Sequence, residues 1–123
     1  MMDTAREIEM LRYLLEQVSV IESYTKGLEE DEFLRQDMVK DATLTRLMVL
    51  GEYSAHVDDE LKNRFSDIQW QLIKAARNYY AHVYRGVDWL MVWEVVKTEL
   101  PTLKNKLEHI ILILGEEQNG KTN

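Results

Sequence analysis

Apolar residues recur along the first part of the chain at the spacing of an α-helix. Between Thr4 and Tyr24 they fall at intervals of three and four residues, at Ile8, Leu11, Leu15 and Val18. Positions with this spacing share one face of a helix, so the pattern predicts a helix that buries this stripe. Gly27 is predicted to end the helix, because glycine is the residue most often found just beyond a helical C-terminus.

A second long helix is predicted from about Asp31 to Arg64. Asp31 is a suitable cap, because its side chain can accept hydrogen bonds from the free N–H groups of a first helical turn. One face of this segment carries apolar and small residues at helical spacing, namely Leu44, Leu47, Met48, Gly51 and Ala55. Glycine inside a helix costs roughly 1 kcal/mol relative to alanine. Gly51 therefore indicates either the close approach of a neighbouring helix or a surface position without a structural role.

A third helix is predicted to follow Ser66 or Asp67, since either residue can act as its cap. Its stripe changes from apolar to polar residues partway along, through Trp70, Ile73, Arg77, Tyr80 and Tyr84. Gly86 is predicted to end it. The polar half of this stripe is the first candidate for chemistry.

The last part of the chain predicts two more helices. Asp88 is expected to cap a short fourth helix through Val96, and Pro101 is expected in the first turn of a fifth, where its missing N–H costs nothing. The fifth helix carries the stripe Leu103, Leu107, Ile110 and Leu114. The segment GEEQNGKTN that follows is expected to fray.

Composition agrees with a helical protein. Of 123 residues, 46% are hydrophobic and 30% charged, with one proline and five glycines as breakers. Long stretches of Leu, Glu, Lys, Met and Ala with so few breakers favour helices. Short connections place consecutive long helices antiparallel. The sequence therefore predicts an all-α, up-and-down bundle of four or five helices, as one domain over residues 1–116 with a frayed tail at 117–123.

Location and charge narrow the possible partners. Cysteine is absent, and the first residues, MMDTAREIEM, lack the basic and apolar regions of a signal peptide. No apolar run approaches the roughly 18 residues that suggest a membrane span, so we expect a cytoplasmic protein without membrane contact. The net charge of -7 argues against non-specific binding to nucleic acids. Residues 60–86 nevertheless carry five basic and two acidic side chains, which permits a local anionic ligand.

The segment RNYYAHVY, which begins at Arg77, holds residue types suited to chemistry on a phosphodiester. Arg77 offers a planar fork of donors for phosphate oxygens, and His82 can move a proton near neutral pH. Asn78 can support the site by orienting a phosphate or ribose, and Tyr84 can add a hydrogen bond. In an ideal helix Arg77 and Tyr84 share a face, whereas His82 points about 140° away from Arg77. The three converge only if the helix ends or distorts near Ala81, or if a second chain contributes.

Structural roles are the alternative interpretation of these residues. Buried histidines on helices are commonly hydrogen-bonded core residues, and Arg77 alone would more often be a salt-bridge partner. Tryptophans and tyrosines at helical spacing are typical of core packing rather than of base stacking. His56 and His109 each stand alone, without a second histidine at metal-ligand spacing. We therefore expect both on solvated helix faces, and we predict neither a metal site nor a cofactor.

The spacing of Arg77, His82 and Tyr84 resembles the signature of HEPN-domain proteins. Its surroundings resemble the HepT branch of that family, whose members are paired with minimal nucleotidyltransferases. From Arg46 onward the similar segments follow in family order: LGE at 50–52, DIQW at 67–70, RNYYAHVYRGVD at 77–88 and VWEVVKTELPTLK at 92–104. The resemblance implies a HEPN-like homodimer with both signature segments near the interface, which would bring the separated site residues together.

Many members of this family are metal-independent endoribonuclease toxins, in which the 2′-hydroxyl of RNA attacks the adjacent phosphate. The resemblance implies that His82 is the general acid or base, that Arg77 stabilises charge on the phosphate and that Tyr84 supports the site. It also implies an antitoxin, a minimal nucleotidyltransferase that adenylylates Tyr84. Val83 departs from the pattern, because many relatives carry a polar, often acidic residue between the histidine and the tyrosine.

Two other functions stay open on the sequence alone. The acidic net charge favours a non-catalytic accessory subunit, which would bind a nucleotide or substrate for a separate nucleotidyltransferase. Arg77 and His82 would then hold phosphate without breaking a bond. A plain structural dimer with a buried histidine would need no ligand at all.

Overall fold

The computed structural model describes residues 3–75 and 86–121. Within these two ranges the chain forms seven α-helices and one π-helical turn, and it contains no β-strand. The helices are α1 (Thr4–Thr25), α2 (Glu30–Arg35), α3 (Asp37–Ser54), α4 (Asp59–Arg64), α5 (Trp70–Ala75), α6 (Trp89–Glu94) and α7 (Leu100–Lys121). The π turn spans Val95–Glu99, between α6 and α7. The predicted all-α class is confirmed.

The first helix matches its prediction. Asp3 caps α1, since its carboxylate accepts a hydrogen bond from the N–H of Arg6 at 3.2 Å. Gly27 follows the helix with a φ of 76°, a left-handed conformation that residues with a Cβ rarely adopt. On the predicted stripe Leu15 is half-buried, and the other three side chains are buried: Ile8, Leu11 and Val18.

Three long helices, α1, α3 and α7, form the core of the bundle. α1 packs against both α3 and α7, and the buried faces meet in one cluster that includes Leu11, Leu14, Ile21, Leu47, Leu107 and Leu114. Polar contacts fasten the edges of this packing. Arg46 of α3 donates a hydrogen bond to Gln17 of α1 at 3.0 Å, and Lys104 of α7 pairs with Glu22 of α1 at 3.0 Å. The three long stripes thus bury one another.

The prediction of one continuous helix from Asp31 to Arg64 is wrong, since α2, α3 and α4 occupy this range. Gln36 separates α2 from α3 with an extended backbone, at φ -108° and ψ 91°. A second interruption covers residues 55–58, after which α4 begins behind Asp58. Neither interruption carries a proline or glycine that would have marked it in the sequence.

Local capping and a tertiary contact account for the first interruption. Glu29 rather than Asp31 caps α2, because Glu29 and Glu32 exchange hydrogen bonds between side chain and backbone. Phe33 of α2 is fully buried and meets Trp93 of α6 with ring centroids 5.0 Å apart. The break at the end of α2 therefore accompanies the burial of a large aromatic side chain.

The predicted fourth and fifth helices are confirmed, with Asp88 capping α6 and Pro101 in the first turn of α7. They are joined by the π turn rather than by a loop. Proline lacks an N–H, and its ring clashes with the carbonyl four residues earlier, here that of Lys97, so a regular α-helical turn is unfavourable. In the π turn the N–H of Leu100 instead donates to the carbonyl of Val95, five residues earlier.

The last helix continues beyond the predicted stripe to Lys121. Glu117 pairs with both guanidinium nitrogens of Arg64, at the end of α4, and so ties this part of α7 to the bundle. Residues 117–121 are helical in the structure, while the predicted domain limit at residue 116 and the predicted fraying of 117–123 stay predictions. In the described ranges no helix combines the length and apolar character that crossing a membrane requires.

Candidate functional site

The residues that the sequence singles out for chemistry lie outside the described residues: Arg77, Asn78, His82, Val83 and Tyr84. Their roles, and the convergence problem that ideal helical geometry poses for them, stay predictions. The structure does describe both flanks of this segment, since α5 is described as far as Ala75 and the chain is described again from Gly86. The candidate site can therefore be built from its two flanks.

The helix before the segment starts later than predicted. α5 begins at Trp70, so neither Ser66 nor Asp67 is its cap. Gln69 takes the position before the helix, and its carbonyl accepts a hydrogen bond from the N–H of Ile73 at 3.3 Å. The polar residues suited to capping lie instead in the turn between α4 and α5.

That turn is fastened to the rest of the molecule at two points. The indole N–H of Trp70 donates to the carbonyl of Phe65 at 3.2 Å, and the ammonium of Lys106, in α7, donates to the carbonyl of Asp67 at 2.7 Å. Ile68, between them, is buried in the core. These contacts set the position from which α5 enters the candidate segment.

The flank after the segment is fixed by a helix cap. Asp88 accepts a hydrogen bond from the N–H of Met91 through its carboxylate at 3.1 Å, and from the N–H of Val92 through its carbonyl at 3.1 Å. Val92 and Trp93 are buried, which anchors α6 against the core. The chain therefore leaves the candidate segment at a defined helix start.

The tryptophans have the structural role that the sequence predicted for them. Trp70 and Trp93 are buried, and Trp89 is half-buried. Lys40 lies over the ring of Trp89 at 5.1 Å from its centroid, and Lys97 lies over the ring of Trp93 at 4.6 Å. Such ammonium contacts with ring faces are attractive and help to hold α6 in place. The predicted packing roles of Tyr79 and Tyr80 fall outside the described residues.

A cleft of about 490 Å³ borders both flanks. Ile73 of α5 and Met91 of α6, which stand on opposite sides of the candidate segment in sequence, both line it. Most of its apolar wall consists of buried side chains: Leu47, Leu50, Ile68, Leu100 and Leu103. Ligand pockets commonly measure about 300–1,000 Å³. The cleft is therefore large enough to take a small group in contact with both described flanks.

The polar side of this cleft comes largely from the π turn and the start of α7. Thr98, Glu99 and Thr102 line it. The hydroxyl of Thr98 donates to the carbonyl of Glu94 in α6 at 2.7 Å, and that of Thr102 donates to the carbonyl of Thr98 in the π turn at 3.3 Å. π turns occur frequently at functional sites. These residues were not predicted from the sequence. Pro101 does indicate a distortion of the helix in the preceding turn, because a proline ring clashes with the carbonyl four residues earlier.

The two histidines of the described residues lie apart from any metal-binding cluster. In the two described ranges no group of three or more His, Asp or Glu side chains could hold a metal ion. His56 and His109 are exposed, and His56 lies 3.8 Å from a carboxylate oxygen of Glu52. The predicted solvated positions of these two histidines are confirmed.

A comparison of the sequence with known protein families covers both flanks and the segment between them. A family model described as ribonuclease HepT-like matches residues 14–110, which include the candidate segment, α5 and α6. The chain belongs to the HepT-like ribonuclease family. The family resemblance carried by Arg77, His82 and Tyr84 is thereby confirmed, and with it the predicted ribonuclease class of enzyme.

Relatives with ribonuclease names support this membership. One of the Methanocaldococcus jannaschii relatives named putative RNase is 33% identical over 117 residues, which cover 94% of this chain and 97% of that protein. Another, also named gamma-glutamylcyclotransferase, is 33% identical over 113 residues, 92% of this chain but 51% of that protein, so the chain spans about half of its length. The probable ribonuclease HepT of Thermococcus cleftensis is 28% identical over 102 residues, 83% of this chain and 93% of that protein. No solved structure matches the chain.

Proposed function

We propose that this HepT-like protein is a metal-independent endoribonuclease toxin that cleaves RNA by internal attack of a 2′-hydroxyl. The observation that carries the proposal is the family match over residues 14–110, which contains Arg77 and His82 at the family spacing. The cytoplasmic location predicted from the sequence belongs to the same proposal, since RNA is the substrate.

The reaction needs two proton movements and one charge to be stabilised. His82 takes the proton of the 2′-hydroxyl while its oxygen attacks the adjacent phosphorus, and the bond from phosphorus to the 5′-oxygen of the next nucleotide breaks. A proton delivered to that oxygen completes a 5′-hydroxyl end and leaves a 2′,3′-cyclic phosphate on the other. Arg77 stabilises the additional negative charge on the phosphate, with Asn78 as a supporting donor.

We also propose a homodimer, because one helix cannot present all three residues on one face. An ideal helix separates His82 from Arg77 by about 140°, so a second copy of the segment supplies the simplest route to a complete site. Sedimentation should then give twice the mass of one chain.

The proposed control is modification of Tyr84 by a minimal nucleotidyltransferase antitoxin. Tyr84 falls on the face of Arg77 in an ideal helix. The phosphate of an adenylyl group on Tyr84 would therefore lie against the arginine and compete with the phosphate of RNA for it. Incubation with ATP and the partner should add one adenylyl group to the wild type and none to Tyr84→Phe. The modified protein should have lost RNA cleavage.

The decisive experiment compares unmodified wild type with His82→Ala and with His109→Ala on RNA. General acid and base catalysis commonly contributes about 10²- to 10⁴-fold, so we expect His82→Ala to slow the formation of cyclic phosphate ends by that factor. His109 is exposed on α7 and serves as the matched control, with an unchanged rate. Equal rates in all three proteins, or no cleavage by the wild type, would contradict the proposal.

A non-catalytic accessory subunit is the second candidate, favoured by the net charge of -7. In that case Arg77 binds the phosphate of a nucleotide for a separate nucleotidyltransferase. Calorimetry with AMP would show binding that Arg77→Ala removes, and no cyclic phosphate would form from RNA with any variant.

A further inference from the structure

Glu7 is a charged residue type in a position where charge is costly. Its side chain lies in the first turn of α1 and is only 1% exposed, although most carboxylates of this chain are at the surface. One of its carboxylate oxygens, Oε2, is buried and has no hydrogen-bond partner. An ionised carboxylate removed from water needs strong compensation. This environment therefore favours a protonated Glu7.

Asp58 faces Glu7 from the connection between α3 and α4. Asp58 stands at the N-cap of α4, yet its side chain makes no hydrogen bond to that helix. Its half-buried carboxyl group is hydrogen-bonded to the side chain of Glu7 instead. A residue that is well suited to capping thus gives up its usual role for a contact with another carboxyl group.

The electrostatics of the pair agree with this geometry. Burial, followed by the hydrogen bond to Asp58 and the charge of Asp58, raises the pKa of Glu7 to about 7. The backbone N–H of Asp58 and the guanidinium of Arg6, on its own helix, oppose this rise and are outweighed. Two carboxyl groups in contact cannot both ionise cheaply, so the neighbouring Asp58 disfavours the ionised form of Glu7.

The contact lies at a junction of the fold. It joins the first turn of α1 to the connection that carries the chain from α3 into α4, next to the buried side chains of Val57 and Leu61. We propose that protonated Glu7 forms a pH-sensitive clasp with Asp58, which holds this connection against α1 and releases it when Glu7 loses its proton. The proposal does not depend on ribonuclease activity.

The direction of the pH effect follows from the two states of Glu7. Its ordinary value is 4.5, and in the folded protein its pKa is about 7, so the folded chain binds more protons than the unfolded chain between these limits. Stability from this group is fully present below about pH 4.5 and is lost as the pH rises through about 7. The clasp is closed in mild acid and open in mild base.

The test compares the wild type with Glu7→Gln, which has the shape of protonated Glu7 but cannot ionise. The unfolding constant of each protein is measured in urea at pH 5 and at pH 8.5. The wild-type constant is divided by that of the variant, and this ratio is compared between the two pH values. Each unit of raised pKa corresponds to a tenfold factor, so we expect this ratio to rise at least about tenfold across the range. Glu7→Gln should therefore be the more stable protein at pH 8.5.

Glu9→Gln is the matched control, since Glu9 is exposed on the same helix. For this variant the ratio of unfolding constants should stay nearly constant between pH 5 and pH 8.5. A ratio for Glu7→Gln that does not change with pH overturns the proposal.

A direct titration separates the clasp from a general loss of stability. Carbon NMR of the Glu7 carboxyl group should give a midpoint near 7 in the wild type, as the pKa of about 7 requires, and a lower one in Asp58→Asn, which keeps a capping side chain but no charge. Amide exchange at residues 55–64, corrected for the intrinsic effect of pH, should increase above pH 7 in the wild type and not in Glu7→Gln. A wild-type midpoint in the ordinary range of glutamate, or one that Asp58→Asn leaves in place, contradicts the clasp.

Discussion

The long and short helices of this protein differ in what holds them. α1, α3 and α7 have 22, 18 and 22 residues, whereas α2, α4 and α6 have six each. The long helices bury continuous stripes against one another, while α2 and α4 each bury a single side chain, Phe33 or Leu61. A six-residue helix is not stable alone, because so few hydrogen bonds do not offset the cost of nucleation. The short helices therefore depend on contacts with the long ones.

This difference matters for function because both flanks of the candidate segment, the described part of α5 and the short helix α6, lie outside the three long helices. They are positioned by individual contacts such as the Asp88 cap and the hydrogen bond from Lys106 to Asp67. Elements with few buried contacts open locally at lower free energy than a core does. The long helices thus provide stability, and the described flanks of the candidate segment border the cleft.

The largest loss of stability should come from replacing a leucine of α7 that is buried in the core of the three long helices. Leu107 of α7 is fully buried, so Leu107→Ala should lower the free energy of unfolding by about 2–5 kcal/mol, through lost burial and the cavity left behind. Urea unfolding followed by circular dichroism measures this loss. Leu112, 59% exposed on the same helix, provides the control, and Leu112→Ala should stay within about 0.5 kcal/mol of the wild type. A small loss for Leu107→Ala would remove the distinction between the two groups of helices.

A smaller effect is expected at the start of a short helix. Asp88→Ala removes the cap of α6 and should cost about 1 kcal/mol of unfolding free energy. Asp88→Asn keeps an oxygen acceptor and should recover most of this loss. If the alanine variant lost as much stability as Leu107→Ala, α6 would belong to the core rather than to its periphery.

The smallest effect should come from the ion pair that fastens α4 to α7. Arg64 and Glu117 have side chains that are 43% and 40% exposed, so water and salt weaken their attraction. Arg64→Ala should cost about 0.2–1 kcal/mol, and the difference from the wild type should shrink in about 1 M salt. An equal loss at low and high salt would instead assign the effect to packing of Arg64 over the ring of Phe65. Arg35→Ala, which removes a more exposed ion pair within α2, is the control for a purely surface contact.

How well the sequence predicted the fold depended on whether the signal was local. Gly27 and Asp88 were identified correctly as a helix end and a helix cap, because each acts through its own backbone conformation or its own carboxylate. The break at Gln36 was missed, since it accompanies the packing of Phe33 against Trp93, which lies sixty residues away in the chain. The start of α5 was also misplaced, because two residues with good capping side chains, Ser66 and Asp67, lie in the preceding turn.

For the candidate site, the sequence by itself determined the family and the residues to test. The spacing of Arg77, His82 and Tyr84 is a chemical signature within one short segment, and it led to the HepT-like family that the comparison confirmed. The cleft that both described flanks border could not be found in this way, because its walls come from α3, α5, α6, the π turn and α7.

The tertiary structure alone also decided the pairing of Glu7 with Asp58. In the sequence Glu7 is one acidic residue among many on an amphipathic helix, where charge is normally solvated. Its burial depends on which turn of α1 meets the connection before α4, and only the packing of α1 against α3 fixes that meeting. Periodicity and capping specify individual helices, whereas the environment of a carboxyl group depends on residues that are distant in the chain.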